Sequence, residues 1–457
     1  MKATPASWLP DPGTEPEALI KEARRRQRRR YVAAGVAVVA VLASAAGVVA
    51  GLDGPGSGHP SRPGPHSGPI PPVAARHAAR APASIPLAGS FLMDVSWVSD
   101  QRGWALAAAP CSGGLCPRLA ATRDGGRTWT ALPVPPGLSI SGGSEVSQIR
   151  FVSTRVGYLF GPALYQTEDG GRTWRRVPSR PVEALEPSAG TVIRVVYDHG
   201  GCLGPCTRTV QETTAGSAAW HTLLHIPWPN AYGGLTAQVV RQGTSVIYLP
   251  LYGNFARGYA PAWIFRSTDG GRSWQRLTDP CGRIGQARYD AGALAAAQRG
   301  FLAVGCLPVN GTGFAFVRTS TDYGSSWSPP RPVPGGTRYS LSLIAAASPG
   351  RLVVATGATG GSGPFTYRLA VSADGGVSWS AAVTGTMQIN PQAPGATFLG
   401  FENARVGRWI SDAQHIWTTR DGGLHWLQRA FPEACGRSPI TARGPGKPPR
   451  RCRPAGR

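Results

Sequence analysis

From residue 86 to about 432 the chain is built of short apolar runs, rich in β-branched and aromatic residues, that alternate with polar positions and break at Gly, Asp and Ser. The pattern is clearest between 145 and 178, where EVSQIRFVS, RVGYLFGP, ALYQTEDGG and RTWRRVP follow one another. Period-two alternation over so few residues, punctuated by turn formers, predicts four successive antiparallel strands. GATFLGFEN, ARVGRWISD, HIWTTRDGG and LHWLQRAF repeat the layout at the far end. Some middle units, such as the one around 191–197, follow it less plainly.

An octapeptide marks the register. TRDGGRTW ends at Trp129, TEDGGRTW at Trp174, STDGGRSW at Trp274, STDYGSSW at Trp327, SADGGVSW at Trp379 and TRDGGLHW at Trp426. Its aspartates, Asp124, Asp169, Asp269, Asp322, Asp374 and Asp421, are separated by 45, 100, 53, 52 and 47 residues, so one interval is double. TTAGSAAW, ending at Trp220, fills that interval with the hydroxyl, one glycine and the tryptophan kept and Ala215 in place of Asp. A four-stranded unit recurring at this period is a propeller blade. Seven copies predict an all-β, seven-bladed β-propeller over 86–432, with six blades as the alternative.

The octapeptide falls between the third and fourth strands of each unit. There the Asp carboxylate accepts backbone N–H groups, glycine permits positive φ, and tryptophan offers a large apolar face to wedge between sheets. A calcium loop would need further carboxylates at alternate positions, and only Glu168 beside Asp169 supplies one. The pattern resembles the Asp-box, or bacterial neuraminidase repeat (BNR), S/T-x-D-x-G-x-T/S-W, and the WD40/YVTN/BNR-like propellers. That resemblance implies that the aspartates and tryptophans of the six intact copies are structural and remote from any ligand site.

The chain changes character before and after the array. Residues 1–30 end in ARRRQRRR, and 31–52, YVAAGVAVVAVLASAAGVVAGL, carry no charge. At about 1.5 Å per residue that stretch spans a hydrocarbon core of about 30 Å. Six arginines precede it and none directly follows, which predicts a transmembrane signal anchor crossing the plasma membrane once, with 1–30 cytoplasmic and the propeller extracytoplasmic. A cleaved signal peptide is the competing reading. Residues 53–85, rich in Pro, Gly and Ser, read as a linker, and 433–457 as a basic disordered tail.

Cysteine usage agrees with that topology, because all eight follow the span: Cys111, Cys116, Cys202, Cys206, Cys281, Cys306, Cys435 and Cys452. An even number on the outer side predicts disulfides formed in an oxidising compartment. The close pairs Cys111/Cys116 and Cys202/Cys206 suit hairpin staples; Cys281 with Cys306 and Cys435 with Cys452 are the expected remaining pairs, other connectivities staying open. Zinc is disfavoured, since the close pairs lack a matching histidine cluster. His221 and His225, on a predicted strand, would sit about 13 Å apart. No metal or cofactor is expected.

The net charge of +23 divides into +4 for 1–30, +2 for the linker and +7 for 437–457, leaving +10 on 86–436. A cationic domain displayed outside a membrane meets anionic head groups or phosphate-bearing wall polymers before it meets nucleic acid. The expected partner is therefore a membrane protein or an anionic cell-envelope polymer, with nucleic acid not expected and the propeller monomeric.

Two resemblances bear on function. Sialidases carry Asp-box repeats on six blades, but need an arginine triad, a Tyr and Glu nucleophilic pair and an aspartic acid/base, and follow an Arg-Ile-Pro segment that this chain lacks. A glycosidase also needs two carboxylates at a defined separation across one cleft, and nothing in the sequence pairs the candidates Asp94, Glu145, Asp198, Asp290, Glu402 and Asp412. WVSDQRGWALAAAP and FVSTRVGYLFGPALYQTEDGGRTW resemble the photosystem II assembly factor type of seven-bladed propeller, whose units read F-x-(S/D)-x-x-x-G-(W/Y) and then T-x-D-G-G-x-T-W. That resemblance implies a non-enzymatic scaffold that binds membrane-protein partners through an arginine-lined surface. The anchor, linker and paired cysteines depart from the photosynthetic pattern, so photosystem assembly is not carried over. The expectation is a membrane-anchored binding or assembly scaffold, with a sialidase-like glycoside hydrolase as the alternative. Ligand contacts are expected at the central funnel, from Arg150, Arg194, Arg288, Tyr289, Arg338 and Tyr339 on predicted inner or neighbouring strands.

Overall fold

Alternating strands and Gly-rich turns give seven antiparallel sheets, in chain order, in the computed structural model. It describes residues 87–431 except 113, 141–145, 199–205, 229–235, 253–262, 309–313, 336–340, 360–364 and 388–397. Blade 1 is Phe91–Trp97, Gly103–Cys111, Gly114–Thr122 and Thr130–Leu132, and blade 2 is Gln148–Phe151, Gly157–Phe160, Leu164–Thr167 and Arg175–Arg176. Blade 3 opens at Val182 and ends with His221–Trp228. Blade 4 has a split first strand, Thr236–Ala237 and Val240–Gln242, both paired with Val246–Tyr252. Blade 5 begins with the short strand Arg283–Ile284, paired with Ala287–Ala296, while blade 6 is led by Leu341–Ser348 and blade 7 by Phe398–Phe401. First strands of successive blades, Ala287–Ala296 counting as that of blade 5, lie against one another, so they form the inner ring and the fourth strands the rim. The count is seven, not six, because the Ala215 unit has its own four-stranded sheet.

The core is partitioned by junction. Seven clusters of buried apolar residues each draw on two adjacent blades, and each has one octapeptide tryptophan packed against it. Trp174, for example, meets Phe151 edge-on at 6.0 Å, and Phe151 stacks on Trp104 of blade 1 at 3.7 Å. Aromatic pairs of this kind contribute beyond the area they bury. Trp220 occupies the same place between blades 2 and 3 although its turn has lost the aspartate. The ring closes between blades 7 and 1 through Leu92, Val95, Ile410, Ile416 and Phe431.

Two disulfides pin loops opposite the octapeptide turns. Cys111–Cys116 staples the hairpin tip of blade 1, and Cys281–Cys306 ties the segment entering blade 5 to its second strand. Cys206 is also disulfide-bonded, while Cys202, Cys435 and Cys452 lie outside the described residues. So do the segments 1–30, 31–52, 53–85 and 433–457. Among the described residues no helix is long and apolar enough to cross a membrane.

Candidate functional site

The octapeptide turns repeat one set of polar contacts, a hydroxyl at the first position donating to the aspartate two residues on. Asp124 Oδ1 accepts the N–H groups of Arg127 and Thr128, each at 2.9 Å, and the Thr122 hydroxyl at 2.8 Å, while the Thr128 hydroxyl donates to Oδ2 at 2.5 Å. Burial pushes its pKa up, but those hydrogen bonds together outweigh it and hold the carboxyl at about 2. At Asp269 the hydroxyl and N–H of Ser273, then the Ser267 hydroxyl, lower it to about 2. An ionised carboxylate is the better acceptor, so hydrogen bonds favour the charged form.

Each turn is also a docking point for the blade before it. Trp104 Nε1 donates to Gly170 O at 3.0 Å, Gly216 N–H to the Tyr158 hydroxyl at 3.1 Å, and Arg266 Nη1 to Tyr323 O at 2.8 Å. Arg331 reaches Gly375 O at 2.7 Å, Arg351 reaches Asp421 O at 3.2 Å, and Arg408 reaches Gly125 O at 3.4 Å. At the junction of blades 3 and 4 the contact is apolar: a Cβ on Gly271, which has φ +88°, would lie 2.6 Å from Leu223.

The turns between first and second strands share this face with the octapeptides, and arginine is concentrated here around blade 1. Between blades 1 and 2 lies a cleft of about 260 Å³ into which Arg102 and Arg123 project from one blade and Arg155 and Arg172 from the next. None of the four guanidinium groups has a carboxylate partner among the described residues; those of Arg155 and Arg172 donate to the carbonyls of Glu168 and Asp169. Asp169 also lines the cleft, but its carboxylate accepts Thr167, Arg172 and Thr173 within its own turn. Across blade 1, a second cleft of about 410 Å³ is lined by Arg127, Arg420, Arg429 and His425 together with Asp124 and Asp421. Asp421 is held at about 2: burial raises it, and the N–H and ring of His425 and the Thr419 hydroxyl outweigh burial. Carboxyls fixed this low cannot act as general acids near neutral pH.

Of the funnel residues expected from sequence, Arg150, Arg288 and Tyr289 lie on inner strands and Arg194 on the neighbouring second strand. Arg150 is on the inner strand of blade 2, where it bonds Asp94 at 2.5 Å and faces Glu186 at 3.6 Å. Asp94 in turn accepts the Ile149 N–H at 2.9 Å, and burial, opposed by Arg150, raises its pKa. This ion pair joins blades 1 to 3 along the inner ring. Arg194 is on the second strand of blade 3, 6% exposed, stacked 3.8 Å over Trp220. Burial lowers its pKa to about 10, and it faces the blade 2 junction, not the funnel. Arg288 is exposed near the start of the inner strand of blade 5, and the neighbouring Tyr289 packs edge-on against Phe316 at 4.7 Å. Arg338, Tyr339 and Glu145 lie outside the described residues. The other acids are engaged or buried: Asp198 pairs with Arg180, Glu402 with Arg408 and Asp412 with His415, and Asp290 is 1% exposed on the inner strand of blade 5. The clefts beside blade 1 were not among the expected sites. Their signal in the sequence is arginine at the second octapeptide position, which occurs only in the copies at 123 and 420.

No family model and no curated protein matches the chain. Among solved structures, similarity is found to YCF48 bound to D1 peptide, at 16% identity over 74% of this chain and 93% of that one, with a TM-score of 0.49. YCF48 from Cyanidioschyzon merolae matches at 15% identity over 76% and 98%, with a TM-score of 0.44. A GH74 xyloglucanase from Xanthomonas campestris matches at 14% over 75% and 55%, with a TM-score of 0.47. The strand order of the chain itself makes the protein a seven-bladed β-propeller.

Proposed function

We propose that the protein is a non-enzymatic binding scaffold whose octapeptide-turn face, around blades 7, 1 and 2, docks an anionic partner. One observation carries this: four guanidinium groups from two blades line one cleft with no carboxylate partner among the described residues. Held 2+2 by adjacent blades, they suit a polymer or chain segment bearing phosphate or carboxylate groups, which arginine recognises with paired N–H donors. The uncharged stretch 31–52 and the cysteine distribution support display of this face outside the plasma membrane, where anionic envelope polymers and membrane-protein segments are the available partners.

The test is equilibrium binding of long-chain polyphosphate to the full chain as a function of salt. We expect affinity to fall steeply with ionic strength, and Arg102→Ala with Arg155→Ala to weaken it by about ten-fold, or ~1.4 kcal/mol. Unchanged affinity in that double variant would remove the cleft from the proposal. The hydrolase alternative is checked with fluorogenic glycosides, a sialoside included; turnover abolished by Asp290→Asn would replace the scaffold reading with an enzyme.

A further inference from the structure

Six of the seven blade junctions are backed by chain continuity, and the junction of blades 7 and 1 is not. Among the described residues every strand of blade 1 comes from 91–132 and every strand of blade 7 from 398–430, and none is exchanged between the two blades. Closure rests on side chains and a few cross-junction hydrogen bonds. Leu92 N–H donates to Ala413 O at 2.6 Å, and Arg408, fully buried, lies 4.0 Å over Trp97 and donates to Asp100 O at 2.8 Å. The larger cleft straddles this junction, with Gly125 and Arg127 on its blade 1 wall and Arg420, His425 and Arg429 on its blade 7 wall. Arg127 and Arg429 have no ion pair among the described residues, and Arg420 has only Asp100, at 3.5 Å. Asp124 and Asp421 in the same cleft direct their oxygens into their own turns.

We propose that this cleft binds a compact multivalent phosphate anion, and that the anion bridges Arg127 to Arg420 and Arg429 and so clamps the ring shut. The inference rests on the reading that the turn face takes anions, and adds to it a ligand class, a second site and a consequence for the fold. A ligand that binds only the closed ring reduces the open population by the factor 1 + [L]/Kd, about 100-fold at a hundred times Kd. Opening at this junction is reported by hydrogen exchange of the Leu92 amide.

The experiment measures tripolyphosphate binding to the full chain by calorimetry and, in parallel, Leu92 exchange with and without saturating tripolyphosphate. The expected result is binding, with exchange slowed about 100-fold at a hundred times Kd. The slowing should vanish in Arg127→Ala/Arg429→Ala and persist in Arg272→Ala, which removes the matching octapeptide arginine from blade 4. Binding without slowing, or slowing that survives Arg127→Ala/Arg429→Ala, overturns the clamp and leaves the anion-docking face standing. Absence of tripolyphosphate binding to the unaltered chain overturns the clamp, and the anion-docking face falls with it only if long-chain polyphosphate also fails to bind.

Discussion

At the scale of single residues, the octapeptide aspartates do more for the fold than their exposure suggests. Each converts several turn donors into charge-assisted hydrogen bonds, and Asp124, Asp269 and Asp421 titrate at about 2. A carboxyl whose folded pKa lies below its ordinary 3.8 stabilises fully above that value and loses its contribution as pH falls through the folded pKa. Urea midpoints should therefore drop between pH 4 and 2. Asp124→Asn should lose about 1 kcal/mol at pH 7, and the deficit should shrink as pH falls through the folded pKa of Asp124 and the carboxyl becomes protonated. A variant whose deficit stays constant as pH falls would show that the turn depends on shape and not on charge. The glycines act in a second way. Gly271 needs left-handed φ and also leaves room for Leu223 of the preceding blade, two demands that only glycine meets together.

At the scale of the element, a four-stranded blade has two faces and no core of its own, so stability resides in the junctions. The octapeptide tryptophan is the wedge of each one. Trp174→Ala should cost about 3 kcal/mol, measured by urea unfolding, because it removes the edge-on partner of Phe151 and part of the apolar lining between blades 1 and 2. Trp220 shows that wedge and turn are separable. Its turn carries Ala215, yet the ring stays in the junction, covered by Arg194. A cation stacked on an aromatic face retains attraction to the ring when desolvated, which accounts for a buried arginine at this place.

At the scale of the whole molecule, the closing junction concentrates what the other six distribute. Glu402, paired with Arg408 at 3.1 Å, is raised by burial to about 7, with Arg408 opposing the rise. A carboxyl raised above its ordinary 4.5 contributes stability that is complete below that value and is lost as pH rises through the folded pKa. The protein should thus lose up to about 3 kcal/mol between pH 4.5 and 7 from this group, and Glu402→Gln should flatten that slope in urea titrations at stepped pH. A slope unchanged in the variant would place the dependence elsewhere. The four-strand unit, the place of each turn within it and the presence of a degenerate copy at Ala215 were all legible in the sequence, because side-chain alternation and turn chemistry act over a few residues. The arginines were legible only as charge. Arg150, Arg194 and Arg408 look alike along the chain, yet one bonds a neighbouring inner strand, one covers a tryptophan and one closes the ring. Arg102 and Arg123 meet Arg155 and Arg172 only because adjacent blades stack. Local pattern determined the blades; which charges are buried, paired or left facing a cleft was decided by the neighbouring blade, since desolvation and ion pairing depend on what the tertiary structure brings within a few ångströms.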